Sequence, residues 1–555
     1  MGRLFYVQIM NHKLYQSWAL GQQTGFEQIQ GTRGQIFFEN SKESQGSVGT
    51  GLIENLAINK DKWLVAAQPK QIKDKVAFAK VLGSAIGTSE EFILSKLEKG
   101  DSYVIIKKDL PDNQVSAIKK LKLDGLSLEN TPGRYYPEGS MAAQTVGFLG
   151  AGGQGQYGIE GYYDPVLQGK EGMQEQGKGL NSVDSTSLAN LNGSDLYVTL
   201  DYNIQFQAEE LLKEEKVKDD IDSGQIIVMK SDSGRILALA NYPSFNLNDY
   251  SKENNLGIFQ DTIVQKLFEP GSVFKPFTMA MALQEGKVTP DTKFIDSGFV
   301  KIGPDTVYNF DHEKYGLQTM SGILEKSINT GAVFLSSLIP HSTFISYLNK
   351  LGFNNKTGVD LQGEVVSQNT LLKTGSAFGF ATASFGQGIE MTPIQLIRAF
   401  SVFANNGKMV KPFIVEKIAH GSDQQVKQNV VSDQIISPQT VSEVNKMMIN
   451  VVERGFGDGA KIPGYYLAGK TGTAQVPFEN KKGYYLDKTI QSFIGFGPAL
   501  KPQFLILVKL DNPKVPKSAL SAVPLFKKLA QYIINYWQIP PDYAVASTSS
   551  QSTGH

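Results

Sequence analysis

The stretch Phe268-Glu-Pro-Gly-Ser-Val-Phe-Lys-Pro-Phe277 constrains the fold more than any other part of the chain. Proline fits the first turn of a helix and not its interior, so Pro276 requires a helix that begins almost at Ser272. Gly271 permits the tight backbone that must precede it. Phe277, Met279, Ala280, Met281, Ala282 and Leu283 leave that helix almost no polar face, which predicts burial. Ser272 and Lys275 then share one face at i and i+3, with Ser272 at the positive end of the helix dipole. Burial disfavours the ammonium form and lowers the lysine pKa. A neutral Lys275 beside Ser272 is a base beside a nucleophile.

Composition removes several competing chemistries. Lys+Arg and Asp+Glu are equal at 54 each, so no net positive field favours nucleic acid. The chain lacks cysteine, which excludes disulfides, thiol nucleophiles and zinc-cysteine sites. His12, His312, His341, His420 and His555 have no metal-ligand spacing and read as structural or surface residues. No Gly-x-Ser-x-Gly elbow occurs. No apolar run reaches the length of a membrane span; Leu4 to Met10 is far too short.

The 555 residues suffice for two or three domains. Leu14 to Leu20 reads as a helix, and Gln35 to Phe38 and Gly51 to Ile53 as short strands. Residues 62–130 alternate short strands (Trp63 to Ala66, Tyr103 to Lys107) with helices (Glu90 to Lys99, Asn113 to Lys122), as a small α+β insertion does. Residues 170–192 read as a connector. A second domain follows: strand Leu196 to Leu200, helix Ile204 to Glu215, and a hairpin of Gly224 to Met229 with Arg235 to Ala240. The middle, 255–450, reads as mostly helical. Strands Tyr465 to Val476, Thr489 to Phe496 and Phe504 to Leu510 and a closing helix Ala519 to Trp537 complete an antiparallel sheet with helices on its faces, an α+β fold. The divisions expected are 1–190, 191–541 and a disordered tail, 542–555.

Two further motifs follow Ser272-Val-Phe-Lys275 in order: Ser327-Ile-Asn329 and Lys470-Thr-Gly-Thr473. Each has a decoy. Ser116-Ala-Ile-Lys119 repeats Ser-x-x-Lys on a lysine-rich helix; Ser244-Phe-Asn246 and Ser367-Gln-Asn369 repeat Ser-x-Asn; Lys373-Thr-Gly375 repeats Lys-Thr-Gly without the following threonine. Gly147 to Gly158 is glycine-rich but lacks the strand-then-helix frame of a dinucleotide loop. Gly464-Tyr-Tyr-Leu-Ala-Gly-Lys-Thr471 satisfies the P-loop pattern, yet Gly472-Thr-Ala-Gln-Val-Pro477 cannot start the helix that would hold phosphate. No nucleotide is expected.

The residue types suit acyl transfer. Ser272 attacks and Lys275 takes the proton. Ser327 can relay a proton between amines. Asn329 can donate to and accept from a substrate amide. Lys470, Thr471 and Thr473 offer donors to a free carboxylate. Gly472 would let a substrate backbone lie against the strand. Backbone N–H groups of Ser272 and Thr473 would form the oxyanion hole.

In that order the three motifs resemble those of penicillin-recognising serine enzymes. The resemblance narrows to a class B penicillin-binding protein, a monofunctional peptidoglycan D,D-transpeptidase of the cell-division or elongation type. Arg33-Gly-Gln-Ile36, Arg134-Tyr-Tyr-Pro137, Gly158-Ile-Glu160, Gly234 to Ala238 with Pro243-Ser244, Gly386-Gln-Gly388, Thr392 to Gln395 and Ala404 to Gly407 are similar to boxes of that family. Coverage runs from about residue 3 to 538. Phe38-Glu-Asn-Ser41 departs from the family's Asp-Arg-Asn/Asp-Gly turn. The resemblance implies an elongated N-terminal α+β pedestal or dimerisation-type domain. It also implies a C-terminal penicillin-binding transpeptidase fold with an antiparallel five-stranded sheet, flanking helices and a helical subdomain. It implies stem peptides ending in D-Ala-D-Ala as donors, acylation of Ser272 by β-lactams, and no cofactor or metal. Implied partners are a membrane glycan polymerase and other division or elongation proteins, at the extracytoplasmic face of the bacterial cytoplasmic membrane. The family's N-terminal anchor is expected to be missing from this chain, because a stretch similar to Leu4 to Gln8 follows it. The alternatives are a serine β-lactamase and a β-lactam-sensing or inactive scaffold.

Overall fold

The computed structural model of the protein describes residues 26–38, 55–99, 102–175, 191–478 and 483–544. The helix expected at 14–20, the strand at 51–53, the departure at 39–41, most of the connector and the tail from 545 lie outside the described residues.

Chain contacts separate Ala57–Pro137 as one compact unit from the remaining chain. This is the expected insertion. Strand Asn55–Ala67 pairs antiparallel with Leu126–Tyr135, and its end pairs with Val104–Lys107. Helices Lys75–Ile86, Glu90–Lys99 and Asp112–Lys119 bury Phe78, Leu82, Ile93, Leu97, Val115 and Ile118 in its core. Asp74 caps the first of them by accepting from the amides of Val76 and Ala77.

The second unit is larger than the expected C-terminal domain, because stretches on both sides of the insertion belong to it. Arg33 reaches Glu160 at 2.6 Å and Asp164 at 2.7 Å, joining two of the boxes that carried the resemblance. Tyr163 donates to Asp360 at 2.8 Å. The strand Ile36–Phe38 runs parallel to Asp195–Val198. Sequence spacing is silent on such contacts, so a boundary at 190 differs from this division.

At the centre of this unit is the expected five-stranded sheet. Helix α1 (Tyr202–Asp219) is capped by Asp201, which accepts from the amides of Asn203 and Ile204. Strands β1 (Ser223–Lys230) and β2 (Ile236–Tyr242) form the hairpin around the positive-φ Gly234. Helix α2 is Lys275–Gln284, α3 Asn329–Ser337 and α4 Pro438–Arg454. Strands β3 (Ala468–Pro477), β4 (Tyr484–Gly497) and β5 (Phe504–Asp511) precede helix α5 (Ala522–Tyr536). The order across the sheet is β2-β1-β5-β4-β3, every pair antiparallel. The middle strands are buried on both faces, so they read as apolar runs rather than alternations. Val228, Leu510, Phe493 and Phe504 meet Leu211, Leu212, Phe526, Leu529 and Ile533 from α1 and α5.

Tertiary structure corrects two local expectations. Tyr465, Tyr466 and Leu467 precede β3 rather than belonging to it. The helical middle also contains small antiparallel pairs, Lys293–Asp296 with Gly316–Thr319 and Phe299–Ile302 with Asp305–Tyr308. Most of their residues are exposed or half-buried, so no strand-period apolar face marks them in the sequence. Among the described residues, no single helix is long and apolar enough to cross a membrane.

Candidate active site

Ser272 lies half-buried in a 3-10 turn, Gly271–Phe274, that feeds directly into α2, with Pro276 in the first turn as required. Gly271 holds φ +61°, and its amide donates to the Gly386 carbonyl at 2.9 Å. A side chain at Gly386, itself at φ +82°, would collide with the Gly271 carbonyl. Gly386-Gln-Gly388 is therefore the backbone seat of the turn that carries Ser272. Gly388 adds an amide hydrogen bond of 2.9 Å to Glu269, three residues before Ser272.

Lys275 and Lys470 are both fully buried, 1% and 0% exposed. Between them stands the Ser327 hydroxyl, 3.2 Å from the Lys275 Nζ and 2.9 Å from the Lys470 Nζ. Lys275 also donates to the Ser327 carbonyl and, at 2.8 Å, to Asn329 Oδ1. The Lys275 amide donates to the Ser272 carbonyl and the turn places the two residues side by side, while among the described residues no hydrogen bond joins the Ser272 hydroxyl to the Lys275 amine. Desolvation, and then the charge of Lys470, hold Lys275 well below its usual pKa. Desolvation alone takes Lys470 down to about 7. Two ammonium groups sharing one hydroxyl in a dry site repel, so the arrangement favours at least one neutral amine.

Ser327 reaches this place through an uncommon backbone. It follows the helix Met320–Glu325 at φ +55°, a left-handed conformation that costs a non-glycine residue about 1–3 kcal/mol. Nothing in Ser-Ile-Asn announces that strain. The turn allows α3 to start at Asn329, whose Nδ2 donates to the Tyr308 carbonyl at 3.0 Å. Both ends of the Asn329 amide are thus engaged within the protein.

Ser272, Ser327, Asn329, Thr471 and Thr473 line a cavity of about 450 Å3. A second cavity of about 520 Å3 also reaches Ser272, Asn329 and Thr473, and continues toward Gln475 and Tyr484. Lys470 lines neither. Its amine turns inward to Ser327 and to the Thr471 carbonyl at 3.0 Å, so of the three residues expected to meet a carboxylate only Thr471 and Thr473 face the cavity. Gly472 also meets a local steric demand. A Cβ there would press on Ser492 Oγ and lie 2.9 Å from Val273 Cγ1 and 3.1 Å from the Pro270 carbonyl, so glycine lets β3 approach the turn that carries Ser272.

Sequence reasoning missed the far wall. Ser518, buried, donates its amide to Thr473 Oγ1 at 3.4 Å, and Lys517 stands beside it on the cavity. This segment is irregular and carries no motif. The decoys stay outside the site. Lys119 rests over the Trp63 ring at 4.5 Å. Ser244 donates to the Ser140 carbonyl at 3.1 Å. Asn369 accepts from the Glu390 amide at 3.0 Å, and Lys373 is exposed near Gln368. Gly464 to Thr471 leads into a strand rather than a helix, against a phosphate loop. Phe148–Leu149 pairs with Gly155–Gln156 in a short hairpin, against a dinucleotide loop.

Comparison with known proteins agrees with this fold. Residues 224–531 match the penicillin binding protein transpeptidase domain, and residues 28–197 the penicillin-binding protein dimerisation domain. Stage V sporulation protein D of Bacillus subtilis is 32% identical over 472 residues, 83% of this chain and 73% of that protein. The probable peptidoglycan D,D-transpeptidase PenA of Neisseria meningitidis is 30% identical over 488 residues, 86% of this chain and 81% of that protein. Penicillin-binding protein 3 of Mycobacterium tuberculosis, solved with aztreonam, superposes with a TM-score of 0.71 at 25% identity, covering 93% of this chain and 98% of that one. Penicillin-binding protein 2X of Streptococcus thermophilus shares the fold, with a TM-score of 0.74 at 21% identity over 92% and 81% of the two chains. A seryl-lysine site carried on this sheet, with a dimerisation domain before it, makes the chain a member of the class B penicillin-binding proteins, the transpeptidase family.

Proposed function

We propose that the protein cross-links peptidoglycan as a serine D,D-transpeptidase, through an acyl-enzyme on Ser272. The observation that carries this reading is the Ser327 hydroxyl held between two buried lysines beside Ser272. The donor is a stem peptide ending in D-Ala-D-Ala. Neutral Lys275 takes the Ser272 proton as Ser272 Oγ bonds to the penultimate carbonyl carbon. The developing oxyanion accepts from the amides of Ser272 and Thr473. Proximity supports that pairing, because a Cβ on Gly271 would stand 3.0 Å from the Cβ of Ala474. The carbon–nitrogen bond to the terminal D-alanine then breaks. Its amine receives a proton through Ser327 from Lys275, and Lys470 steadies the relay. A neighbouring peptide's amine attacks the ester, loses a proton by the reverse route, and frees Ser272.

In the donor complex, Thr471 and Thr473 bind the terminal carboxylate, Asn329 shares its amide with the peptide, and the strand around Gly472 pairs with the peptide backbone. β-Lactams enter the same cycle and stop at the acyl-enzyme. The reading places the enzyme on the outer face of a bacterial cytoplasmic membrane, beside a glycan polymerase and other division or elongation proteins. Mass spectrometry after benzylpenicillin tests it: one long-lived adduct on Ser272, absent from Ser272→Ala, is expected. Rapid loss of the adduct would mean a β-lactamase. A stable adduct without transfer from a D-Ala-D-Ala peptide would mean a sensor or an inactive scaffold.

A further inference from the structure

Asp296 lies outside all three motifs and has 0% exposure. It ends the small strand Lys293–Asp296, in the part of the chain whose strands sequence patterning does not reveal. Its carboxylate is saturated by four donors. Oδ1 accepts from Thr330 Oγ1 at 2.6 Å and from the Gly298 amide at 2.9 Å. Oδ2 accepts from Asn309 Nδ2 at 2.9 Å and from the Tyr315 amide at 2.8 Å. Asn309 closes the circuit by accepting from the Thr330 amide at 3.1 Å.

Those donors are not scattered. Thr330 is the residue after Asn329, in the first turn of α3, and α3 starts where the strained Ser327 turn ends. Asn309 and Tyr315 line the 450 Å3 cavity. Tyr308, neighbour of Asn309, is the residue whose carbonyl holds the Asn329 side chain. One buried charge therefore grips both the helix start that carries Ser327 and Asn329 and the loop that forms the cleft rim. A carboxylate beside the first turn of α3 also lies at the positive end of that helix.

We infer that Asp296 is a positioning residue for acylation: through Thr330 and Asn309 it holds Ser327 and Asn329 in register with Lys275. The inference rests on the serine-lysine reading above for which groups react. It needs only acylation, not peptide transfer. Asparagine at 296 keeps the shape but offers one acceptor oxygen and turns an NH2 toward groups that donate. Misplacement of the relay by a fraction of an ångström should lower the rate without touching the carboxylate-binding threonines.

The experiment measures acylation by a chromogenic β-lactam, with each rate normalised to the fraction of sites that can be acylated. For Asp296→Asn, the limiting acylation rate should fall about 10–100-fold while the apparent dissociation constant moves less than about threefold. In an Asn329→Ala background the same change should cost less than about threefold, since the two act as a unit. Thr330→Val, nearly isosteric, covers the case in which Asp296→Asn does not fold; it should lose rate severalfold with the same non-additivity. A wild-type rate per active site in both variants, or full additivity with Asn329→Ala, would overturn the inference. Absence of peptide transfer by the wild type would sink the proposed transpeptidase and leave this inference standing.

Discussion

Gly386→Ala tests the claim that a distant loop seats the nucleophile. Gly386 is 114 positions from Ser272 in the chain and touches no substrate in the proposed mechanism. Its φ of +82° already penalises alanine by about 1–2 kcal/mol. The added Cβ would overlap the Gly271 carbonyl oxygen and lie 2.7 Å from that residue's carbonyl carbon and amide nitrogen. Carbon contacts are comfortable at about 3.5–4.0 Å, so the turn carrying Ser272 must retreat by about 1 Å. That movement also breaks the 2.9 Å hydrogen bond from the Gly271 amide to Gly386. A shift of about 1 Å in a reacting group costs about 100-fold in rate, which is about 2.7 kcal/mol of barrier. Overpacking and strain together should lower stability by about 2–4 kcal/mol. Stopped-flow acylation and a thermal melt read the two quantities separately. Gly375→Ala, at another positive-φ glycine with open space around its Cβ, is the control for strain without displacement. If Gly386→Ala acylates as fast as Gly375→Ala, the seating argument is wrong.

Lys275→Ala should slow acylation about 10²–10⁴-fold while the Ser272 hydroxyl remains; a loss under tenfold would assign the base elsewhere. Because burial and then Lys470 hold Lys275 far below its ordinary pKa, the acid limb of the acylation profile should fall well under pH 10.5, and an inflection near 10.5 would contradict burial of the amine. Lys470 is depressed to about 7, so the unfolded chain binds more protons than the fold between pH 7 and about 10.4. The wild type should therefore gain melting temperature relative to Lys470→Met as pH rises through that window, with the full penalty present below about 7; parallel curves would refute the shift. Lys470→Ala should slow acylation equally for ligands with and without a free carboxylate, since the amine faces Ser327 and not the cavity; selective loss for carboxylates would restore the role expected from sequence. Ser116→Ala and Lys373→Ala should leave penicillin labelling unchanged.

Much of the sheet was legible because its evidence is local. The hairpin at 223–242 and the late strands at 484–511 carry runs of Ile, Val, Leu and Phe broken by turn residues. Pro276 limited where α2 could begin, and α2 begins one residue before it. The pairs within 293–319 were illegible for the opposite reason. They are short and largely exposed, and their best-buried member is a carboxylate. Asp296 in isolation is one acidic residue among 54. Its partners at 309, 315 and 330 converge only when two small strand pairs and a helix start meet.

By itself the sequence determined which side chains could do the chemistry, because Ser272, Lys275, Ser327, Asn329 and Lys470 to Thr473 stand in ordered short motifs whose spacing survives in one dimension. Tertiary structure decided what each of them faces. It turned Lys470 away from the cavity, made Gly386 and Gly472 steric necessities for the turn that carries Ser272, and set Ser327 in a left-handed backbone between two desolvated amines. Direction, burial and close approach arise from residues tens to hundreds of positions apart, and no local pattern encodes them.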